Sequence, residues 1–153
     1  MPPLALDAAS ADWPVDAADA VLCINMAHIS RWEATLGLVA GAERLLVKGA
    51  PLTLYGPWRC EGVKTAPSNE GFDASLKARN PRWGLRRVED LDTAADARGF
   101  ARTRLVEMPA NNLMLVYRRW RGMSNVVSRS WCRPCSRHAI YRPLSMIPKA
   151  LLA

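Results

Sequence analysis

The sequence contains no apolar run close to the 18 residues of a membrane-spanning helix, and its N-terminus has neither a basic region nor a long apolar core. We therefore expect a cytoplasmic protein with no membrane partner. Half of the 153 residues are apolar, which excludes a disordered or collagen-like chain. The length is typical of one domain.

Acidic residues are missing from the last part of the chain. Residues 118–153 carry eight Lys and Arg and no acid, whereas residues 1–117 carry 13 Lys and Arg against 14 acids. Such a tail can touch phosphate backbones by charge alone, but it has no recognition motif, so we expect no specific nucleic-acid partner. Its Cys132, Cys135 and His138 supply too few ligands for a closed zinc site, and we predict no metal.

Apolar runs predict the strands. The run at 20–25 is almost continuous, which is typical of a central parallel strand covered on both faces. Shorter runs predict further strands at 4–6 and 52–55. Two more, at 102–108 and 113–118, have a short connection that favours an antiparallel pair.

Helices are predicted between these strands. Ser30 and Glu33 have the capping-box spacing, which predicts a helix start after the strand at 20–25. Further helices are predicted at 72–78 and 89–98. Because a helix connects the strands at 20–25 and 52–55, they should be parallel. The sequence thus predicts an α/β sheet that ends in an antiparallel hairpin.

Several motifs resemble one known family, the bacterial methyltransferase-like domain of unknown function 938, which is related to methyltransferase-like protein 26. The motifs occur in the same order over roughly residues 2–119. They are DAVLCINMAHI (19–29), LYGP (54–57), TAPSN (65–69), FDASL (72–76) and EMPANNL (107–113).

The resemblance implies a class I methyltransferase fold that uses S-adenosylmethionine, with strand order 3-2-1-4-5-7-6 and strand 7 antiparallel. The predicted strands then correspond to strands 3 to 7, and strands 1 and 2 are missing. We therefore expect a partial Rossmann-like sheet in residues 1–119. We expect residues 120–153 to be an irregular basic tail, from an out-of-frame or read-through extension.

The missing strands remove the glycine-rich cofactor turn that the resemblance implies. We therefore interpret the chain as a fragment of a longer reading frame, expect it to be inactive, and expect the strand at 20–25 to expose an edge that favours self-association. The intact protein would methylate an unknown small molecule. The alternative is a non-enzymatic Rossmann-like module that pairs with another chain.

Ligands of open α/β sheets bind outside the carboxyl ends of the strands, so the residues there are the candidates for a site. By the resemblance, Asp7 would accept from the adenine amino group; otherwise it is an exposed acid. Asn25 and Met26 are the other candidates for cofactor binding. Asn25 would also face the transferred methyl group, or cap the following turn.

His28 is a candidate general base, although a lone histidine is more often a structural hydrogen-bond partner. Tyr55 ends its strand and is a candidate for substrate binding. Ser68 and Asn69, in a polar loop, either shape the substrate pocket or cap the helix that follows. Arg79 and two tryptophans, Trp58 and Trp83, are candidates for the mouth of the same pocket.

Overall fold

The computed structural model describes residues 3–120 and 150–152. Five strands and three helices organise this part of the chain. In order they are β1 (Ala20–Ile24), α1 (Trp32–Leu45), β2 (Pro51–Gly56), α2 (Pro67–Arg79), α3 (Val88–Asp96), β3 (Phe100–Met108), β4 (Asn112–Arg119) and β5 (Ala150–Leu152).

The strands form one mixed sheet in the order β3-β4-β2-β1-β5. β1 and β2 are parallel and are connected through α1, whereas β4 runs antiparallel to both β2 and β3. The connection between β3 and β4 is a single short turn, Pro109–Asn111. The predicted fold class, a partial α/β sheet closed by an antiparallel pair, is confirmed.

One face of the sheet carries the core. Side chains alternate along β1 and β2, and the buried set shares one apolar cluster with α1 and α3. This cluster includes Val21 and Cys23 of β1, Leu52 and Leu54 of β2, Leu115 and Tyr117 of β4, Leu38 and Val39 of α1, and Leu91 of α3. Burial raises the pKa of the Cys23 thiol to about 11, as befits a residue that packs as an apolar side chain.

The strand predicted at 4–6 is wrong. Residues 3–7 have no regular secondary structure, and Leu4 is 49% exposed. A strand needs a neighbour to bond its backbone, and the chain turns instead onto α1, where the carbonyl of Ala8 lies against Gly37. The missing Cβ of Gly37 permits this close approach.

Two helix starts also differ from prediction. The Ser30 hydroxyl donates to the carbonyl of Met26 at 2.7 Å instead of capping α1, which begins at Trp32. The helix predicted at 72–78 begins at Pro67, because proline suits the first turn, where backbone N–H groups have no partner inside the helix. Ser68 and Asn69 are therefore helical, and the prediction that they lie in a loop is wrong.

The outer edge of β1 is occupied, contrary to prediction. β5 pairs parallel with it, so that Ala20–Leu22 lies beside Ala150–Leu152. The tail is therefore not irregular throughout, because an unpaired strand edge offers its N–H and C=O groups to any extended segment within reach. The predictions at Cys132, Cys135 and His138 lie outside the described residues.

Within residues 3–120 and 150–152, no helix is long and apolar enough to cross a membrane. The cytoplasmic location expected from the sequence stays a prediction.

Candidate functional site at the carboxyl edge of the sheet

A cavity of about 430 Å³ lies beyond the carboxyl ends of β1 and β2. We call it the edge cavity. Its polar lining consists of Asn25, Asn69, Arg79 and Asn112, and its apolar lining consists of Ile29, Pro57, Phe72, Leu76 and Ala110. This is the position where open α/β sheets bind their ligands.

Asn25 reaches the wall of this cavity through an unusual backbone conformation. Its N–H still donates to the carbonyl of Tyr55 at 2.9 Å, which extends the pairing of β1 and β2 by one residue. Its φ of 59° then turns the chain sharply, a left-handed conformation that asparagine tolerates better than most residues. The predicted site residue is thus held at the end of β1 by backbone geometry.

Gly56 brings the end of β2 against both residues predicted to be catalytic. A Cβ at this position would lie 2.5 Å from Nε2 of His28 and 3.1 Å from Oδ1 of Asn25. Only glycine leaves room for such close packing. Asn25 and His28 therefore meet around one backbone position.

His28 lies beneath Gly56 and does not line the edge cavity. It is 1% exposed, and its ring packs edge-on against Trp58 with centroids 4.8 Å apart. Neither ring nitrogen has a hydrogen-bond partner within the described part of the chain. Burial, and then the charge of Arg86, lower the pKa of His28 to about 4, so the imidazole is neutral at pH 7.

The other two predicted cofactor residues lie apart from each other. Met26 follows Asn25, is half-buried, and contacts the Ser30 hydroxyl through its sulfur at 3.1 Å. Asp7 is exposed, ends no strand, and accepts a hydrogen bond from the Ala9 N–H at 2.9 Å within its own turn. The structure brings Asn25 and Met26 together but leaves Asp7 beside α1.

Of the predicted substrate residues, Asn69 lines the edge cavity and Tyr55 does not. Asn69 is 7% exposed, lines the edge cavity, and donates through Nδ2 to the carbonyl of Asn111 at 2.9 Å. Asn111 in turn donates to the Ser68 hydroxyl at 3.1 Å. These bonds connect α2 to the turn between β3 and β4. Tyr55 is half-buried on the sheet between Ile24 and Met114, and it does not line the cavity.

Arg79 alone of the three predicted mouth residues lines the edge cavity. Trp58 is buried in the core beside His28, and Trp83 is half-buried outside the lining. Trp58 therefore packs as a structural residue, and Arg79 is the residue of this group that faces the edge cavity.

Asp73 is a residue of the site region that the sequence analysis missed. Its buried carboxylate accepts from Lys77 at 2.6 Å, from the backbone N–H of Leu85 at 2.8 Å and from Arg59 at 3.1 Å. Burial raises its pKa, but these hydrogen bonds outweigh burial and hold the pKa below the ordinary value.

This carboxylate fastens α2 to the segment before α3, and so positions one wall of the cavity. Arg59 also pairs with Glu70 through both carboxylate oxygens, at 2.7 and 2.6 Å. Asp73 lies in the FDASL motif (72–76) and Lys77 directly follows it; their i, i+4 spacing was the available signal.

S-Adenosylmethionine does not fit the described residues as a whole. The carboxylate assigned to its adenine, on Asp7, is engaged in a local turn away from the edge cavity. No acidic residue lines that cavity among the described residues. The described residues also contain no cluster of three or more potential metal ligands. The cofactor-binding roles of Asn25 and Met26 stay predictions, and we derive no step through the cofactor.

Solved structures place the fold in a class. The chain is similar to human N-acetylserotonin methyltransferase in complex with SAM (TM-score 0.63, 11% identity, 72% of this chain and 32% of that one). It is also similar to an O-methyltransferase family protein from Burkholderia thailandensis (0.59, 17%, 72% and 32%) and to CalO1, a methyltransferase in calicheamicin biosynthesis in its SAH-bound form (0.57, 16%, 67% and 30%). The fold is that of class I methyltransferases, and the chain spans about a third of their length.

The family follows from the sequence itself. The family model described as protein of unknown function (DUF938) matches residues 1–119. The chain belongs to this family.

Proposed function

We propose that this chain supplies the acceptor-binding part of a class I, S-adenosylmethionine-dependent methyltransferase, and that the acceptor is a small molecule. The observation that carries the proposal is the edge cavity, which lies beyond β1 and β2 and is lined by both Asn25 and Asn69. Family membership and the methyltransferase fold support it. The missing fit to the cofactor leads us to propose further that this chain alone does not bind S-adenosylmethionine tightly.

The residues of the cavity can hold and orient an acceptor. The Asn25 side chain makes no hydrogen bond to another described residue, so its amide can donate to or accept from a bound molecule. Phe72 and Ile29, 38% and 47% exposed, offer an apolar surface beside it. When bound, the cofactor supplies the methyl group.

Methyl transfer depends mainly on positioning the acceptor in line. We therefore assign no dedicated base in this arrangement, and a proton that the acceptor loses passes to solvent. A His28 imidazole that is neutral at pH 7 and buried behind Gly56 suits a positioning role around Asn25. The catalytic roles of Asn25 and His28 stay predictions.

A titration followed by NMR tests the acceptor site. N-Acetylserotonin, for which one structural neighbour is named, is a suitable hydroxylated aromatic probe for the ¹⁵N-labelled chain. We expect saturable shifts at the amides of Asn25, Ile29 and Phe72. The substitution Phe72→Ala should weaken binding severalfold because it removes apolar contact area. Thr53→Ala, on β2 and outside the cavity, is the control and should not change it. Saturable shifts only elsewhere, or none, contradict the proposal.

A second candidate function is a non-enzymatic module that pairs with another chain. The edge of β1 favours it, because among the described residues that edge is held only by β5, a short strand outside the family-matched residues 1–119. A partner with a longer strand would bond more of β1 and displace β5. Sedimentation of the intact chain tests this: a concentration-dependent dimer supports pairing, and a monomer at all concentrations opposes self-pairing.

A further inference from the structure

The edge cavity carries charge of one sign. Arg79, in the last turn of α2, lines it, and no acidic residue does so within the described part of the chain. Arg79 is exposed and forms no ion pair with the residues that the structure describes. An arginine that faces a cavity without a partner presents its guanidinium donors to whatever enters.

The acids near α2 do not neutralise this charge. Asp73 and Glu70 are paired with Lys77 and Arg59, so two carboxylates are matched by two cations. Arg79 therefore adds a positive charge that its surroundings leave uncompensated, and an anion in the cavity gains the favourable interaction.

The remaining walls favour an apolar body. Phe72 and Ile29 are large apolar side chains that stay exposed, and Pro57 lies between the end of β2 and the loop that follows. Exposed apolar groups around a few fixed polar groups are typical of small-molecule sites. The amide of Asn25 lines the same space as Arg79, so a ligand can contact both groups.

We propose that the edge cavity binds a small molecule with an aromatic or branched apolar body and a carboxylate, and that Arg79 pairs with this carboxylate. The proposal rests on the proposed function, because it names the chemical class of the acceptor. A carboxylate can accept two parallel hydrogen bonds from one guanidinium, which fixes orientation as well as affinity. A ligand bound in this way is oriented by its anionic end.

Matched probes test the charge requirement. 2-Naphthoate and 2-naphthamide have the same apolar body and differ in charge. Both are titrated into the ¹⁵N-labelled full chain, and the shifts of Asn25, Ile29 and Phe72 report binding. We expect 2-naphthoate to bind about fivefold more tightly than 2-naphthamide, in keeping with a charge-assisted but solvent-exposed pair.

Variants assign this preference to one residue. Arg79→Gln should abolish the difference between the probes while 2-naphthamide binds as before. Arg104→Gln removes an exposed arginine of β3 outside the cavity and should leave the difference unchanged. If both probes bind in the cavity equally, or Arg79→Gln keeps the preference, the inference is overturned and the acceptor site stands. If neither probe shifts these amides but N-acetylserotonin does, the inference is overturned and the acceptor site stands. If none of the three molecules shifts them, both proposals are overturned.

Discussion

The two sides of the β1–β2 pair differ in the extent of their strand pairing. Toward β4, the whole of β2 is bonded, with Pro51–Gly56 paired to residues 113–118 and Tyr117 and Leu115 completing the core. Toward β5, only Ala20–Leu22 of β1 is bonded, and by residues outside the family-matched segment. The edge cavity lies on the side toward β4. The other side is where the resemblance expects the cofactor turn.

The largest expected effect on the free energy of unfolding is on the side of the sheet toward β4. Leu54→Ala empties a fully buried position of β2, and we expect it to cost about 2–5 kcal/mol of unfolding free energy. Thr53→Ala, next in the strand but half-buried on the other face, should cost less than about 1 kcal/mol. Urea denaturation measures both. Equal losses would contradict the assignment of the core to one face.

The next effect is the pH dependence of stability that comes from His28, which is buried beneath Gly56. In the unfolded chain His28 takes up a proton near pH 6.5, whereas in the folded protein it does so only near pH 4. The contribution of the neutral His28 ring to the free energy of unfolding is therefore complete above pH 6.5. It falls by about 3 kcal/mol between pH 6.5 and 4 and does not fall further below pH 4.

Urea denaturation at several pH values, with His28→Gln as the comparison, isolates this contribution. The variant should lose most of the slope between pH 6.5 and 4. Asp73 acts at lower pH, because its pKa lies below the ordinary value of 3.8, and its stabilisation is lost as pH falls through its folded pKa. An unchanged slope in His28→Gln would contradict a buried neutral imidazole.

A smaller effect on the free energy of unfolding is expected on the side of the sheet toward β5. A chain truncated after Lys149 loses the pairing of β5 and should be destabilised by about 1 kcal/mol, since only a short parallel ladder disappears. The exposed edge of β1 should then promote association that rises with concentration, measured by sedimentation against the full chain. If the truncated chain is as stable and as monomeric as the full chain, β5 does not cover this edge.

The smallest effect is expected at the junction of α2 with the β3–β4 turn. Asn69→Ala removes the hydrogen bond to the Asn111 carbonyl from a buried position and should cost about 1 kcal/mol. Ser68→Ala removes only an exposed bond and should cost less than about 0.5 kcal/mol. Thermal unfolding compares the two variants, and a reversed order would contradict the anchoring role of Asn69.

The same contrast decided which elements the sequence could predict. β1, β2 and β4 were predictable because their apolar runs reflect burial in one core. β3 has no buried residue between 102 and 108, and its pairing was predictable from its short connection to β4. The segment at 4–6 has a similar run but no neighbouring strand, and apolar content cannot reveal that. β5 is three residues long and carries no pattern of its own; the free edge of β1 determines its position.

The site was predictable in part for related reasons. Asn25 directly follows β1, which has a clear sequence signal, so its place at the carboxyl edge could be predicted. Asn69 was expected in a loop of the same region, but α2 begins earlier, at Pro67, and includes it. The Asp73 cluster depends on Arg59 and Leu85, which are distant in sequence and meet only after α2 packs. Asp7 depended on a strand that does not form, so its expected position was wrong.

Isothermal titration calorimetry of the intact chain with S-adenosylmethionine tests the central claim most directly. The claim is that an acceptor cavity is present while a complete cofactor site is not. The structure leads us to expect no saturable heat at micromolar cofactor concentrations. Saturation with a micromolar dissociation constant would contradict the claim, because it would require that the chain forms the cofactor half as well.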